Sequence, residues 1–325
     1  MSDKLLKQLL SDGIVLNESA RLEPLPGGVS SDIYLVHDGD RKFVVKQALG
    51  KLKVEADWFA DVSRNETEIN YIEYVAKTNP SSVPEIIGSG DGYFAMEYLG
   101  DGFTSWKAAM LCGQFSSDWA RMAGAFLGDV HKHSRNNDKL AEQFNKMDSF
   151  WQLRIEPYLI ATGENHAELN SMFLEEAERL RHEASALVHG DFSPKNILIS
   201  SDRLVVLDCE VACYADPAFD VAFLISHLFL KILYHRNYYS DLQSMITAFC
   251  HAYGMRSFEF ESRVVRLVLM LLLGRVDGKS PVEYLTDKAS RQFLRSFVRL
   301  ELIQNPRGLD KMLEVWVNGI KVLHD

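Results

Sequence analysis

Asp191, Asn196 and Asp208 are oxygen-bearing residues spaced so that a single β-hairpin could gather them. Asn196-Ile197-Leu198-Ile199 runs into the polar tetrapeptide Ser200-Ser201-Asp202-Arg203, and then into Leu204-Val205-Val206-Leu207-Asp208. Apolar run, polar turn and apolar run is a hairpin pattern. With the turn centred near Ser201-Asp202, an antiparallel ladder folds Asp208 back beside Asn196. Asp191 precedes Asn196 by five positions, on the loop that enters the hairpin. Carboxylate and amide oxygens are the hard ligands that magnesium prefers, and magnesium usually completes its shell with substrate phosphates.

The elements around this hairpin follow from apolar spacing. Residues 3–12 form an amphipathic helix ended by Gly13. Arg21–Leu25, Ser31–Val36 and Lys42–Gln47 are rich in β-branched and aromatic residues, and are separated by Pro26-Gly27-Gly28 and Asp38-Gly39-Asp40. That is strand, glycine loop, strand, tight turn, strand. Asp57–Lys77 has helical spacing, with Ile69, Ile72, Tyr74 and Val75 recurring, and Tyr93–Glu97 reads as a further strand. Beyond Leu99-Gly100-Asp101-Gly102, helices dominate: Trp106–Leu111, Ser117–Ser134, Met147–Ile160, Ala167–Ala186, and most of the chain from Ala218 onward. Short strands form an island between Leu187 and Leu207. The reading is an α+β chain with a β-rich first part, residues 1–98, and a larger helical part, residues 99–325.

The segment His189-Gly190-Asp191, with Asn196 five positions on, has the spacing of a protein-kinase catalytic loop. Together with Leu207-Asp208-Cys209-Glu210 and Asp216-Pro217-Ala218-Phe219-Asp220, it resembles the superfamily of aminoglycoside phosphotransferases, choline kinases and methylthioribose kinases. The resemblance covers roughly residues 20–225. It implies a protein-kinase-like fold with a small β-rich N-lobe, a larger helical C-lobe and a hinge near 96–102. It further implies that ATP and Mg2+ are used, and that Asp191 accepts the proton of an attacking hydroxyl. Asn196 and Asp208 would hold the metal, and Asp220 would brace the loop from a helix start. Lys46, within Phe43-Val44-Val45-Lys46-Gln47, takes the place of the lysine on ATP phosphates. Gly27, Gly28, Ser30 and Ser31 lie where such kinases cover the phosphates, and glycines there let the backbone approach. Glu66 and Glu68 both qualify as the partner of Lys46. The spacing of Glu68, Ile72 and Val75 resembles the family's glutamate and its apolar face, which favours Glu68. Met96-Glu97-Tyr98-Leu99 resembles the adenine-binding hinge, with Glu97 and Leu99 as backbone contacts. Val44-Val45-Lys46-Gln47-Ala48-Leu49 and the D-x-E form of Asp208-Cys209-Glu210 look most like methylthioribose kinases, which makes Glu210 a further metal ligand. Ser193-Pro194-Lys195-Asn196 departs from them, lacking the small residues that methylthioribose kinases carry there.

Composition narrows the partners. The chain has 325 residues and a formal net charge of -10, which argues against a nucleic-acid backbone as the main partner. The four cysteines, Cys112, Cys209, Cys213 and Cys250, show no C-x-x-C spacing and read as reduced thiols of a cytoplasmic protein. Val221–Leu233 and Val264–Leu273 are too short for membrane spans and read as buried helices. The amino-terminal segment lacks the continuous apolar run of a signal peptide. The expected partner is a small-molecule hydroxyl acceptor: a sugar, an amino alcohol or an aminoglycoside-like compound. Only about a dozen residues separate Asp208 from Asp220, which leaves no room for a peptide-docking activation segment and weighs against a protein kinase. A nucleotide-binding pseudokinase is the other alternative.

Several residues carry a structural reading beside a functional one. His189 reads as a brace that bonds backbone and packs, not as a base. Lys195 is either a charge stabiliser or a solvated lysine. Asp216 would suit a cationic substrate, but Asp-Pro before a helix is adequate structurally. Gly274–Tyr284 reads as a charged break between apolar helices, with Arg275, Asp277 or Glu283 as candidate acceptor contacts, against a solvent loop with a Ser-Pro helix start. The five tryptophans read as core.

Overall fold

The computed structural model describes residues 2–26, 31–48, 64–100, 102–255, 257–304 and 307–323. The chain divides into two compact units, Met1–Phe103 with Ser200–Glu210, and Thr104–Ile199 with Val211–Asp325. The class is α+β. The return of Ser200–Glu210 to the first unit is not visible in the sequence boundaries.

The first unit is built on a five-stranded sheet. Helix α1 (Ser2–Ser11) precedes β1 (Arg21–Pro24), β2 (Ser31–Asp38) and β3 (Arg41–Ala48); then come helix α2 (Arg64–Ala76), β4 (Ile86–Gly90) and β5 (Tyr93–Glu97). The order is β1-β2-β3-β5-β4, and every pairing is antiparallel. Successive strand residues face opposite sides. Phe43 and Val45 therefore pack with Leu5, Leu9, Val15, Val36, Tyr93 and Ala95 in one core cluster, while Val44 and Lys46 point to the other face. Buried Asp38 ties the entrance of β1 to the β2–β3 turn by accepting from the amides of Leu16 and Asn17 at 3.1 and 3.0 Å. β4 escaped the sequence reading: Ile86-Ile87-Gly88-Ser89-Gly90 has little alternation, and a register shift between Ile86 and Gly88 breaks its period.

The second unit is mainly helical. Helix Ala218–Tyr234 is buried over nearly its whole length, which explains its apolar run. Helix Ser117–Ser134 lies against helix Tyr239–Tyr253 at glycine-width spacing. A Cβ at Gly124 would stand 2.4 Å from the Phe249 carbonyl oxygen, and one at Gly128 would stand 2.8 Å from that of Tyr253. Strand Ala186–Val188 pairs antiparallel with Cys213–Ala215. Three expectations change here. The helix read over Ala167–Ala186 spans Asn170–His182, because Ala186 begins a buried strand. The helix read over Met147–Ile160 widens into a π-helix over Trp151–Ile160, with Pro157 inside it. A proline has no N–H to give and crowds the preceding turn, and wider winding accommodates both. The break expected from Gly274 begins only at Gly278, because helix Phe258–Asp277 continues through Arg275 and Asp277, and the next helix starts at Lys288 behind the Asp287 cap. No single helix among the described residues is long and apolar enough to cross a membrane.

Candidate functional site

In the first unit, Lys46 on β3 is the centre of a charged cluster. Its Nζ donates to Glu68 Oε2 at 2.6 Å and to Asp208 Oδ1 at 2.7 Å. Lys46 and Glu68 are almost fully buried, while the Asp208 side chain is about one-third exposed. Helix geometry decides between the two glutamates. Glu68, Tyr71, Ile72 and Val75 fall at i, i+3, i+4 and i+7 on the buried stripe of α2, whereas Glu66 is exposed. Burial alone would lower the Lys46 ammonium, but Asp208, Glu68 and Glu210 outweigh it and hold it well above an ordinary lysine. Burial pushes the Glu68 carboxyl up, Lys46 opposes this, and Asp208 adds to it.

Asp208 is held at φ +61°; among described non-glycine residues only Asn136 shares a positive φ. Left-handed backbone costs an L-residue about 1–2 kcal/mol, so the surroundings must over-determine this conformation. Ligand oxygens of Glu68, Asp208 and Glu210 lie within 4.8 Å of one another. Three carboxylates around one ammonium leave an excess of hard, anionic oxygen, a donor set that fits a divalent hard cation. Glu210 also meets Arg64 at 3.2 Å.

In the second unit, the loop carrying Asp191 is fixed at its backbone. Fully buried Asp220, in the first turn of helix Ala218–Tyr234, accepts from the amides of His189 at 2.6 Å and Gly190 at 2.9 Å. His131 Nε2 lies 3.3 Å from the same carboxylate. Gly190 has φ +77°, and a Cβ there would stand 2.6 Å from the Val211 carbonyl oxygen. No residue with a side chain fits that position unstrained, which accounts for glycine where protein kinases carry arginine. His189 accepts from the Asp191 amide through Nδ1 at 3.1 Å and sits edge-on to Phe192. Asn196 Nδ2 donates to the Asp191 carbonyl at 3.0 Å, closing the loop on itself. Asp191 Oδ2 lies 3.0 Å from both Arg154 Nη2 and Lys195 Nζ.

The remaining expected positions divide. Gly27, Gly28 and Ser30 fall outside the described residues, while Ser31 is buried at the start of β2. The Glu97 side chain is held by Arg203 at 2.7 and 2.9 Å, which keeps its carboxyl below the usual range, and its amide bonds the Glu85 carbonyl at 2.8 Å. Leu99 lies past the end of β5, partly exposed. Asp216 is fully buried, taking Arg179 at 2.6 Å, Arg263 at 3.2 Å and the Ala218 amide at 2.9 Å, which makes it a structural residue. Asp277 is held by Arg295 and His166, whereas Arg275 and Glu283 line a pocket together with Lys195. Of the tryptophans, Trp106 and Trp316 are core, Trp119 and Trp151 are partly exposed, and Trp58 lies outside the described residues. Arg154, Arg64, Arg203 and His131 escaped the sequence reading. Each is a common residue type in a helix or turn, and only the fold brings it to a carboxylate.

A profile of the phosphotransferase enzyme family known as APH matches residues 21–268. Methylthioribose kinase of Exiguobacterium sibiricum is 26% identical over 245 residues, covering 67% of this chain and 63% of its own. The match spans less than two-thirds of the length of that relative. Among solved structures, choline kinase from Cryptosporidium parvum superposes with a TM-score of 0.57 at 13% identity, over 96% of this chain and 99% of its own. The streptomycin-ATP-APH(2")-IIa ternary complex gives 0.51 at 17% identity, over 94% and 97%. At these identities the likeness speaks to the fold.

Proposed function

The chain belongs to the phosphotransferase enzyme family, and on that premise we propose that it is an ATP-dependent kinase transferring the γ-phosphoryl group to a hydroxyl of a small molecule. The observation that supports this reading most is the buried Lys46 ammonium shared between Glu68 and Asp208. A lysine so held is rigid and permanently charged, as a contact to the phosphates of ATP requires. Phosphoryl transfer asks little covalent work of a protein; positioning and charge neutralisation carry it.

In this reading Asp191 orients the acceptor hydroxyl and takes its proton. Arg154 and Lys195 fix its carboxylate, and Asp220 holds the loop backbone beneath it. Asp208, Glu210 and Asn196 are the residues that would hold Mg2+. When bound, the ion supplies neutralisation of phosphate charge. Glu97 and Leu99 would offer backbone to adenine, and residues 27–31 would cover the phosphates. The acceptor falls among sugars, amino alcohols and aminoglycoside-like compounds, as in the relatives.

The test is an ATP-consumption screen across sugars, sugar acids, sugar phosphates, thio-sugars, choline analogues and aminoglycosides with the purified chain and Mg2+. Turnover confined to one acceptor class is the expected result. Nucleotide binding without turnover on any acceptor, or phosphate incorporation into peptides only, would refute the proposal.

A further inference from the structure

The second unit contains a small enclosed pocket beside the Asp191 loop. Pro194 and Lys195 of that loop form one wall, and Lys107, Lys231, Arg275 and Glu283 contribute the other charges. Lys195 joins the pocket to the carboxylate of Asp191, 3.0 Å from its Nζ. Lys195 is paired with Asp191 and Lys107 with Glu283, which leaves Lys231 and Arg275 as the two cations of the lining without a carboxylate among the described residues.

Lys231 is the most telling member. It is 2% exposed. Its Nζ lies 3.3 Å from the centre of the Tyr284 ring. Among the described residues no carboxylate or carbonyl accepts a hydrogen bond from it. A buried ammonium with only a ring face for company is costly, because desolvation is not repaid by a hydrogen-bonded anion. Arg275 adds a buried Nε with no acceptor, although its Nη1 is held by Tyr158 and Ser280. The unpartnered cationic donors are Lys231 Nζ and Arg275 Nε, and the buried Tyr284 hydroxyl beside them also has no hydrogen-bond partner.

Resting on the kinase reading above, we infer that this pocket is the acceptor's recognition subsite and that it selects acceptors bearing an anionic group, a carboxylate or a phosphate. The enclosed space is about 20 Å3, enough for one oxygen-sized atom, so it takes the tip of such a group. Tyr284 is a wall shared with a cavity of about 440 Å3 lined by Tyr234, His235 and Tyr238, which has room for the body of an acceptor. Burial, with Lys107 and Arg275 nearby, pulls Lys231 down to about 7 despite Glu283, and an anion would restore its proton. The same surroundings, burial first, hold His227 neutral, so it adds a polar contact without charge.

The test uses one three-carbon scaffold in four charge states: glycerol, glycerate, glycerol 3-phosphate and 3-amino-1,2-propanediol. Each is titrated calorimetrically into the full chain saturated with Mg2+ and a non-hydrolysable ATP analogue, so that phosphate probes cannot occupy the γ-phosphate position. The two anions are expected to bind at least tenfold more tightly than glycerol or the amine. Lys231→Met should erase that preference, and Glu283→Gln should widen it. Lys231→Met keeps side-chain volume and removes a buried charge, so the fold should survive, which a melting curve checks. Tightest binding of the amine, absence of any preference, or a preference untouched by both substitutions would each overturn the inference. Inorganic phosphate separates two sources of the anion. Phosphate that binds as tightly as glycerol 3-phosphate and displaces it would mark a free-anion site and overturn the acceptor assignment. Anion binding that depends on Lys231 with no phosphorylation of any hydroxyl would remove the kinase reading instead. ATP consumption on cationic acceptors without anion preference would remove only the inference.

Discussion

At the scale of single residues, Asp191 and Lys231 present opposite problems. Asp191 is a buried carboxylate with two cations on one oxygen. Asp191→Asn keeps the shape and removes the proton acceptor, so kcat should fall by about 10^3-fold. ATP affinity in a binding titration should stay near that of the parent chain. Turnover near the parental value would dismiss Asp191 as the base. Asp208→Ala should act differently, weakening Mg2+-dependent nucleotide binding itself. Lys231 is a cation without an anion. Its ordinary value of 10.5 drops to about 7, so between those limits the unfolded chain binds more protons than the folded one. Stability therefore rises with pH across that window, and the full cost of charging Lys231 is felt below it. Lys107, Arg275, Glu283, His227 and Tyr284 face the same space and are common to both proteins in the comparison. Melting temperatures of the parent chain and Lys231→Met should differ most near pH 6, with the variant higher, and converge toward pH 10. A gap independent of pH would show that Lys231 does not titrate in this range.

At the scale of elements, the Asp191 loop is set by a strand, a glycine and a helix start. Gly190→Ala would place a methyl 2.6 Å from a backbone oxygen while keeping a left-handed φ. Roughly 2–4 kcal/mol of lost stability is expected, from clash and backbone strain together. Thermal unfolding measures it, and activity of the remaining folded protein separates stability from catalysis. A change under about 0.5 kcal/mol would mean that the loop has another conformation available. The same elements show what the sequence could and could not disclose. Lys46 ends the apolar run Phe43-Val44-Val45 and Glu68 shares a helical spacing with Ile72 and Val75, so the resemblance to the kinase family picked out both, where either residue alone would read as an ordinary polar position. Asp191 and Asn196 stand at a legible strand entry. Arg154 does not: it lies on a turn of helix widened around Pro157, and nothing in its neighbours marks it as the partner of Asp191. β4 was hidden by its bulge. The cationic pocket draws from separate stretches of chain, each bearing one ordinary lysine or arginine.

At the scale of the whole molecule, the first unit is discontinuous. Met1–Phe103 supplies the sheet, and Ser200–Glu210 supplies Asp208, Glu210 and Arg203. A fragment ending at Phe103 keeps the apolar cluster around Phe43 and Val45 but loses one of the two carboxylates bonded to Lys46. Mg2+ and ATP should raise the melting temperature of the full chain by linkage and leave that fragment's unchanged. An equal shift in the fragment would show that residues 200–210 contribute nothing to nucleotide binding.

This discontinuity also sets an order of events on the ribosome. Lys46 emerges 162 residues before Asp208, so for much of translation its ammonium has only Glu68 as a counter-charge. Closing so long a loop adds little entropy beyond a short one, yet the wait itself is fixed by the rate of elongation. The nascent sheet must either leave that strand frayed or bury a half-neutralised lysine until the later segment arrives. The charged cluster would then be the last part of the first unit to mature.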